Sequence, residues 1–171
     1  MRMVSTALLL LSMFTSFGQI RQIIAARQSG EDEFHALITR YYAAWNTLNP
    51  DIAAQLYAKD PGLVFYDIAP LKYKGWEEYK EGTRKMLSEF ISFEVDMNNS
   101  LRTVLKLKLT PYNDLKVSRR GAIVWTTETF HLSGQRKMGE TMELDGRHTA
   151  IWEERGGKWL IVHEHLSAPL P

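Results

Sequence analysis

The sequence contains no cysteine, and that one absence removes several kinds of chemistry. Disulfides, zinc–thiolate sites, iron–sulfur clusters and a thiol nucleophile are excluded, as is the cysteine that anchors a bacterial lipoprotein. An excess of charge of one sign is missing too. Twenty-one Lys and Arg face twenty Asp and Glu, a formal net charge of +1. Composition therefore gives no reason to expect nucleic acid or an anionic membrane as a partner. No apolar run reaches the roughly 20 residues of a membrane-spanning helix, so stable membrane insertion is not expected. Gly-rich phosphate loops, a G-x-S-x-G elbow, an H-E-x-x-H pair, internal repeats and low-complexity tracts are absent as well.

What is present begins with an export pattern. Arg2 supplies a positive charge, Leu8 to Leu11 the centre of an uncharged run, and Ser16 and Gly18 the small residues before a cleavage point. Residues 1–18 read as a signal peptide, 19–32 as a linker and 33–171 as one domain, secreted or periplasmic. An uncleaved anchor is the alternative.

Phe34, Leu37, Ile38, Tyr41, Tyr42, Trp45 and Leu48 recur at the spacing that places side chains on one helical face. Asn49-Pro50-Asp51 is a helix start, with a capping amide and a proline at the first position. The second helix is expected from Pro50 to Ala58, burying Ile52 and Leu56. Leu63 to Tyr66 reads as a short strand. A third helix is expected from Gly75 to Phe90. The period then changes to two. Strands are expected at Ile91–Met97, Leu101–Leu109, Ala122–Leu132, Glu140–Glu154 and Trp159–Ser167. Gly156-Gly157 supplies the positive φ of a tight hairpin between the last two. Helices first and an antiparallel meander after them predict an α+β domain.

Two stretches carry a family likeness: Phe65-Tyr66-Asp67-Ile68-Ala69-Pro70 … Gly75, and Gly146-Arg147-His148-Thr149 … Gly157-Lys158-Trp159 … His163-Glu164-His165-Leu166-Ser167. Together they resemble the SnoaL-like and ketosteroid-isomerase-like family of the nuclear-transport-factor-2-like superfamily. The likeness covers about Glu33 to Pro169. It implies a cone-shaped, curved antiparallel sheet with three N-terminal helices enclosing a pocket, and dimerisation through the sheet. The segment Leu101–Val117 is longer than the family pattern. Members range from isomerases, cyclases and dehydratases to pure binding modules, so the likeness leaves the reaction open.

It also implies roles. Asp67 stands where the isomerases carry a general base, in a site type where a carboxylate shuttles a proton between carbons. The competing reading is an Asp that caps the turn before Pro70. Tyr41 matches the oxyanion-donating tyrosine, against plain core packing. His148 takes the place of a second, protonated acid, which is a departure from the isomerase pattern. Trp45, Phe65, Trp76 and Trp152 are expected as an apolar wall, with Glu164 at the ligand. Alternation alone leaves two faces possible for the last strands. The resemblance favours His148, Ala150, Trp152, Glu164 and Leu166 inward, and Arg147, Thr149, His163 and His165 outward. His163 and His165, with His131 or His148, raise a metal site. Hydrogen-bonded structural histidines are the favoured reading, so neither metal nor cofactor is expected. An outer face bearing Ile123, Trp125 or Ile161 suggests a homodimer.

The functional expectation is an exported domain that binds a small hydrophobic molecule, as an isomerase, cyclase or dehydratase with Asp67 as base. The alternative is a non-catalytic ligand-binding or dimerisation module of the same fold.

Overall fold

Residues 30–45 are helical (α1), as their apolar stripe requires, and the helix stops where Leu48 turns to a positive φ of 54°. The computed structural model describes residues 22, 28, 30–95 and 98–169. The expected signal peptide lies outside them. Of the expected linker, residues 22, 28 and 30–32 are described, and they are helical. The chain separates into two units, Met1–Leu37 and Ile38–Pro171. The sheets, and every residue of the candidate site, belong to the second.

The Asn49 side chain accepts from the Asp51 amide at 3.0 Å and Pro50 opens α2 (Pro50–Ala53). The helix is shorter than expected. It tightens to a 3₁₀ turn over Ala54–Leu56 and gives way at Tyr57, which is extended and bridges to Ile161. Leu56 is buried, but Ile52 is 45% exposed rather than in the core. One apolar position on a four-residue helix is easily turned outward.

Helix α3 (Gly75–Leu87) continues into a 3₁₀ turn at Ser88–Phe90 and buries Trp76, Tyr79, Thr83 and Leu87 along one stripe. Glu77 and Glu78 sit in its first turn and Arg84 and Lys85 in its last, each sign matched to the helix dipole. The Glu78 carboxylate also accepts from the Lys74 amide at 2.8 Å.

Among the described residues there are nine strands: β1 (Val64–Tyr66), β2 (Tyr73–Lys74), β3 (Ile91–Val95), β4 (Leu101–Leu105), β5 (Leu107–Pro111), β6 (Lys116–Arg120), β7 (Ile123–Gln135), β8 (Thr141–Arg155) and β9 (Lys158–Ser167). The main sheet runs β2-β1-β9-β8-β7-β5, with β6 on β7 beside β5, while β3 and β4 form a separate ribbon. The α+β class and curved sheet agree with expectation. Three details differ. First, β1 pairs with β9 in parallel, so the sheet is not wholly antiparallel. Second, β2 and β6 are additional, too short or too polar to announce themselves. Third, the expected strand Leu101–Leu109 is two strands broken at Lys106. The Lys106 amide donates to the Phe90 carbonyl at 2.7 Å, and its carbonyl accepts from the Gln135 amide at 2.8 Å. The break sends Leu107 and Leu109 into the core and leaves Leu101 and Leu105 exposed. Asn46 secures β5 by donating to the Leu109 carbonyl at 2.9 Å and accepting from its amide at 2.7 Å.

Candidate functional site

Alternation along the long hairpin decides which side chains enter the core. Val124, Thr126, Glu128, Phe130 and Leu132 of β7 are buried, as are His148, Ala150 and Trp152 of β8. A register shift lies opposite Ile151 and Trp152, whose partners on β9 are His163 and Ile161. That extra residue changes the phase of β9, so Ile161 and Glu164, three apart, are both fully buried. Ile161 is therefore in the core and not on the outer face suggested by strict alternation. Arg147 and His165 face out.

Three ionisable groups meet in this core. Glu128 is the direct cross-strand partner of His148, and its carboxylate lies 2.9 Å from His148 Nδ1. Glu164 Oε1 lies 2.9 Å from His148 Nε2. The other oxygen of Glu164 accepts from Tyr57 and from Tyr79, both at 2.8 Å. Trp45 Nε1–H donates to the Tyr57 hydroxyl at 3.0 Å, and Tyr41 stacks on His148 with centroids 4.6 Å apart. Burial alone would push the His148 pKa down, but hydrogen bonds and charge from Glu128 and Glu164 raise it to about 9. Burial pushes Glu164 up, and His148 with the surrounding phenols more than reverses it, leaving its pKa below the usual carboxylate range. The arrangement favours a protonated His148 held between Glu128 and Glu164, with a hydrogen bond at each ring nitrogen, as low-dielectric surroundings demand.

In front of this cluster lies a cavity with about 150 Å³ of free space. It is lined mostly by apolar side chains of α3, β5, β7 and β8, with Tyr41, Trp45, Asp67 and Tyr79 among its walls and Arg136 also at its boundary. Asp67 follows the end of β1, where its Oδ1 accepts from the Ile68 amide at 2.7 Å. Burial raises its carboxyl to about 7; the Ile68 amide opposes the rise and the Glu164 charge adds to it. A group poised near neutrality can exist as acid or base.

Of the residues singled out in sequence, Asp67, Tyr41 and Trp45 line the cavity. His148 and Glu164 lie behind that lining, joined to it through Tyr41 and Tyr79. Phe65 packs flat on Tyr79, with centroids 5.2 Å apart. Trp76 packs on Tyr57 at 4.5 Å, and the Lys59 ammonium lies over the Trp76 ring, 3.7 Å from its centroid. Trp152 donates to Thr126 Oγ1 at 3.0 Å. These three residues are not among those lining the cavity. Tyr57, Tyr79 and Glu128 were not anticipated. Tyr79 sits on the α3 stripe and Glu128 is a lone acid at an inward phase of β7, but Tyr57 carries no local signal. The other histidines are dispersed. His163 Nδ1 meets the Val64 carbonyl at 2.7 Å, and His131 meets Asp145 at 2.9 Å. Among the described residues no group of three or more His, Asp or Glu is placed to hold a metal ion.

The family model for the SnoaL-like domain matches residues 35–171. No curated protein sequence matches the chain. Among solved structures it is similar to a nuclear transport factor 2-like superfamily protein from Salmonella enterica, at 20% identity and TM-score 0.70, over 84% of this chain and 94% of that one. A Streptomyces avermitilis protein, provisionally assigned as a dehydratase of the nuclear-transport-factor-2-like family, superposes with TM-score 0.63 at 14% identity, over 84% and 99% of the two chains. A Shewanella frigidimarina protein, provisionally assigned as a ketosteroid isomerase, does so with TM-score 0.56 at 20% identity, over 77% and 92%. At these identities the likeness establishes the fold alone.

Proposed function

The chain belongs to the SnoaL-like domain family, and we propose that its cavity binds a small hydrophobic carbonyl compound with which Asp67 exchanges a proton, in an isomerase, cyclase or dehydratase reaction. The observation that carries this reading is a carboxyl raised to about 7 on the wall of an otherwise apolar cavity. In the anionic form Asp67 takes a proton from a carbon beside the carbonyl. The electrons move to the carbonyl oxygen, where the Tyr41 hydroxyl, turned from Glu164, donates a hydrogen bond. The proton then returns to another carbon, or leaves with a hydroxyl as water. His148 acts one layer back. Stacked beneath Tyr41 and fixed by Glu128 and Glu164, it holds the phenol in place. Relatives assigned provisionally as an isomerase and a dehydratase are consistent with this chemistry on this fold.

A ligand-binding module without turnover is the second reading. It is favoured by the completeness of the Glu128–His148–Glu164–Tyr57–Tyr79 network, which satisfies its own polar atoms. One experiment separates the two. Mass spectrometry identifies the compound retained through purification, and proton exchange of that compound in D₂O is then followed with wild type and Asp67→Asn. Exchange catalysed only by wild type supports the enzyme. Binding without exchange in either protein supports the module.

Two further properties belong to the same proposal. Export is tested by N-terminal sequencing of protein from its native host, where an intact Met1 in the cytoplasm ends it. Homodimerisation through the outer sheet face, where Ile123 is 41% exposed, is tested by light scattering, and a monomer at micromolar concentration ends it.

A further inference from the structure

Most of the polar hydrogens at the cavity wall are already committed, the buried Nε–H of Arg136 excepted. Trp45 Nε1–H is given to Tyr57 at 3.0 Å, Tyr79 O–H to Glu164 at 2.8 Å, and Thr83 O–H to the Tyr79 carbonyl at 2.8 Å. Arg136 is held by Glu140 at 2.9 Å and Glu89 at 3.3 Å. What the polar end offers a ligand is therefore mainly lone pairs and ring faces: the Asp67 carboxylate, the Tyr79 oxygen, and the rings of Trp45 and Tyr79. The Tyr41 hydroxyl, used above for a carbonyl oxygen, is itself drawn toward Glu164 by a side-chain hydrogen bond.

The charge points the same way. Two acids, Glu128 and Glu164, flank the single His148 behind the wall, and Asp67 adds a third acid at its surface. The cationic side chain on the lining is Arg136, beside Phe90. Tyr79 and Phe90 are eleven residues apart along α3 and its 3₁₀ extension, about 16 Å at a helical rise. Arg136 thus stands at the far end and is already neutralised. On this wall Trp45 is inclined to both Tyr41 and Tyr79, while Tyr41 has His148 stacked on one face and Tyr79 has Phe65. Trp45 and Tyr79 are 5.8 Å apart at 54°, and Tyr41 and Trp45 are 6.4 Å apart at 65°. Inclined electron-rich faces beside a carboxylate form a recognition site for an ammonium group.

We propose that the cavity selects a small hydrophobic molecule bearing a protonated amine, with the ammonium between Asp67, Trp45 and Tyr79 and the apolar part directed along α3 toward Phe130 and Leu132. This rests on the cavity being the ligand site, and not on Asp67 acting as base. A carboxylate ligand would meet like charge at one end and an occupied arginine at the other.

Three compounds with one skeleton test it: N,N-dimethylbenzylammonium, isobutylbenzene and phenylacetate. They share a benzyl group and differ in the charge of the branched end. Binding to the full chain at pH 7.5 is followed by calorimetry and by tryptophan fluorescence. The ammonium compound should bind about tenfold more tightly than isobutylbenzene, the size of a partly desolvated cation–π and charge contact, with phenylacetate weakest. Asp67→Asn and Trp45→Leu should each shrink that preference several-fold, with circular dichroism confirming the fold. Should Trp45→Leu not fold, Asp67→Asn alone decides. Equal binding of ammonium and hydrocarbon overturns the ligand class and leaves the cavity reading intact. Tightest binding of phenylacetate overturns it too, as does an ammonium preference that survives both substitutions. Binding of none of the three overturns this inference together with the cavity reading.

Discussion

Tyr41 lies flat against His148, ring centroids 4.6 Å apart and planes within 16°, so one aromatic ring separates a fully buried imidazolium from the cavity. This contact joins the interior charge cluster to the surface where a ligand would sit. It also means that changes to His148 reach the site through Tyr41.

His148→Ala should be among the most damaging single changes. It leaves Glu128 and Glu164 buried without their shared cation, and breaking a buried ion pair on one side costs about 3–5 kcal/mol. Urea unfolding measures this. Glu164→Gln should cost less than His148→Ala, because the amide oxygen still accepts from Tyr57 and Tyr79.

The same cluster gives stability a defined pH dependence. His148 binds its proton more tightly in the fold, where its pKa is raised to about 9 from an ordinary 6.5. Its contribution is fully present below about pH 6.5 and lost as pH rises through about 9, on the order of 3 kcal/mol in total. The urea midpoint of wild type should therefore fall between pH 7 and pH 9.5. The stability difference between wild type and His148→Gln should shrink over the same range. A constant difference would mean that His148 is neutral in the fold.

Asp67 predicts an activity profile of the opposite slope. The base form is the carboxylate, so turnover should rise as pH increases through about 7, the value set first by burial. Asp67→Asn should lower turnover by about 10²–10⁴-fold, the usual size of general-base catalysis. Its melting temperature should change little, since the Asn side-chain oxygen still accepts from the Ile68 amide. If Asp67 only caps its turn, turnover survives the change.

Gly146 lies opposite Phe130 in the β7–β8 pairing, and a Cβ added there would strike the Phe130 ring. Phe130 lines the cavity. Gly146→Ala should displace that ring, at about 1–3 kcal/mol for overpacking, and weaken ligand binding together with stability. Thermal unfolding and fluorescence-monitored binding on the one variant test both.

Asn46→Ala should loosen β5. The side chain satisfies both the amide and the carbonyl of Leu109, and two backbone groups left unpaired cost about 1–3 kcal/mol each where water cannot replace the bonds. Amide hydrogen exchange at Leu109 should accelerate more than at Phe130 of the neighbouring strand.

Local periods determined a good deal of this protein. The stripe from Ile38 to Trp45, the Asn49-Pro50 start, the alternation of β7 and β8 and the Gly156-Gly157 turn are all repeats or turn chemistries set by neighbouring residues. They were enough for the α+β class; the family, and with it Asp67, Tyr41 and His148, came into view through the resemblance of two stretches to SnoaL-like proteins. Tertiary structure decided the rest. Leu105 and Leu107 are alike in sequence, yet the hydrogen bonds that Lys106 gives to Phe90 and accepts from Gln135 part them into separate sheets. One extra residue in β9 carries no composition signal, but it buries Ile161 and Glu164 together. Tyr57 and Tyr79 reach Glu164 across 107 and 85 residues of chain. No local period encodes such a meeting, because it depends on how the elements pack, and that packing made Glu164 the acceptor around which the buried network is built.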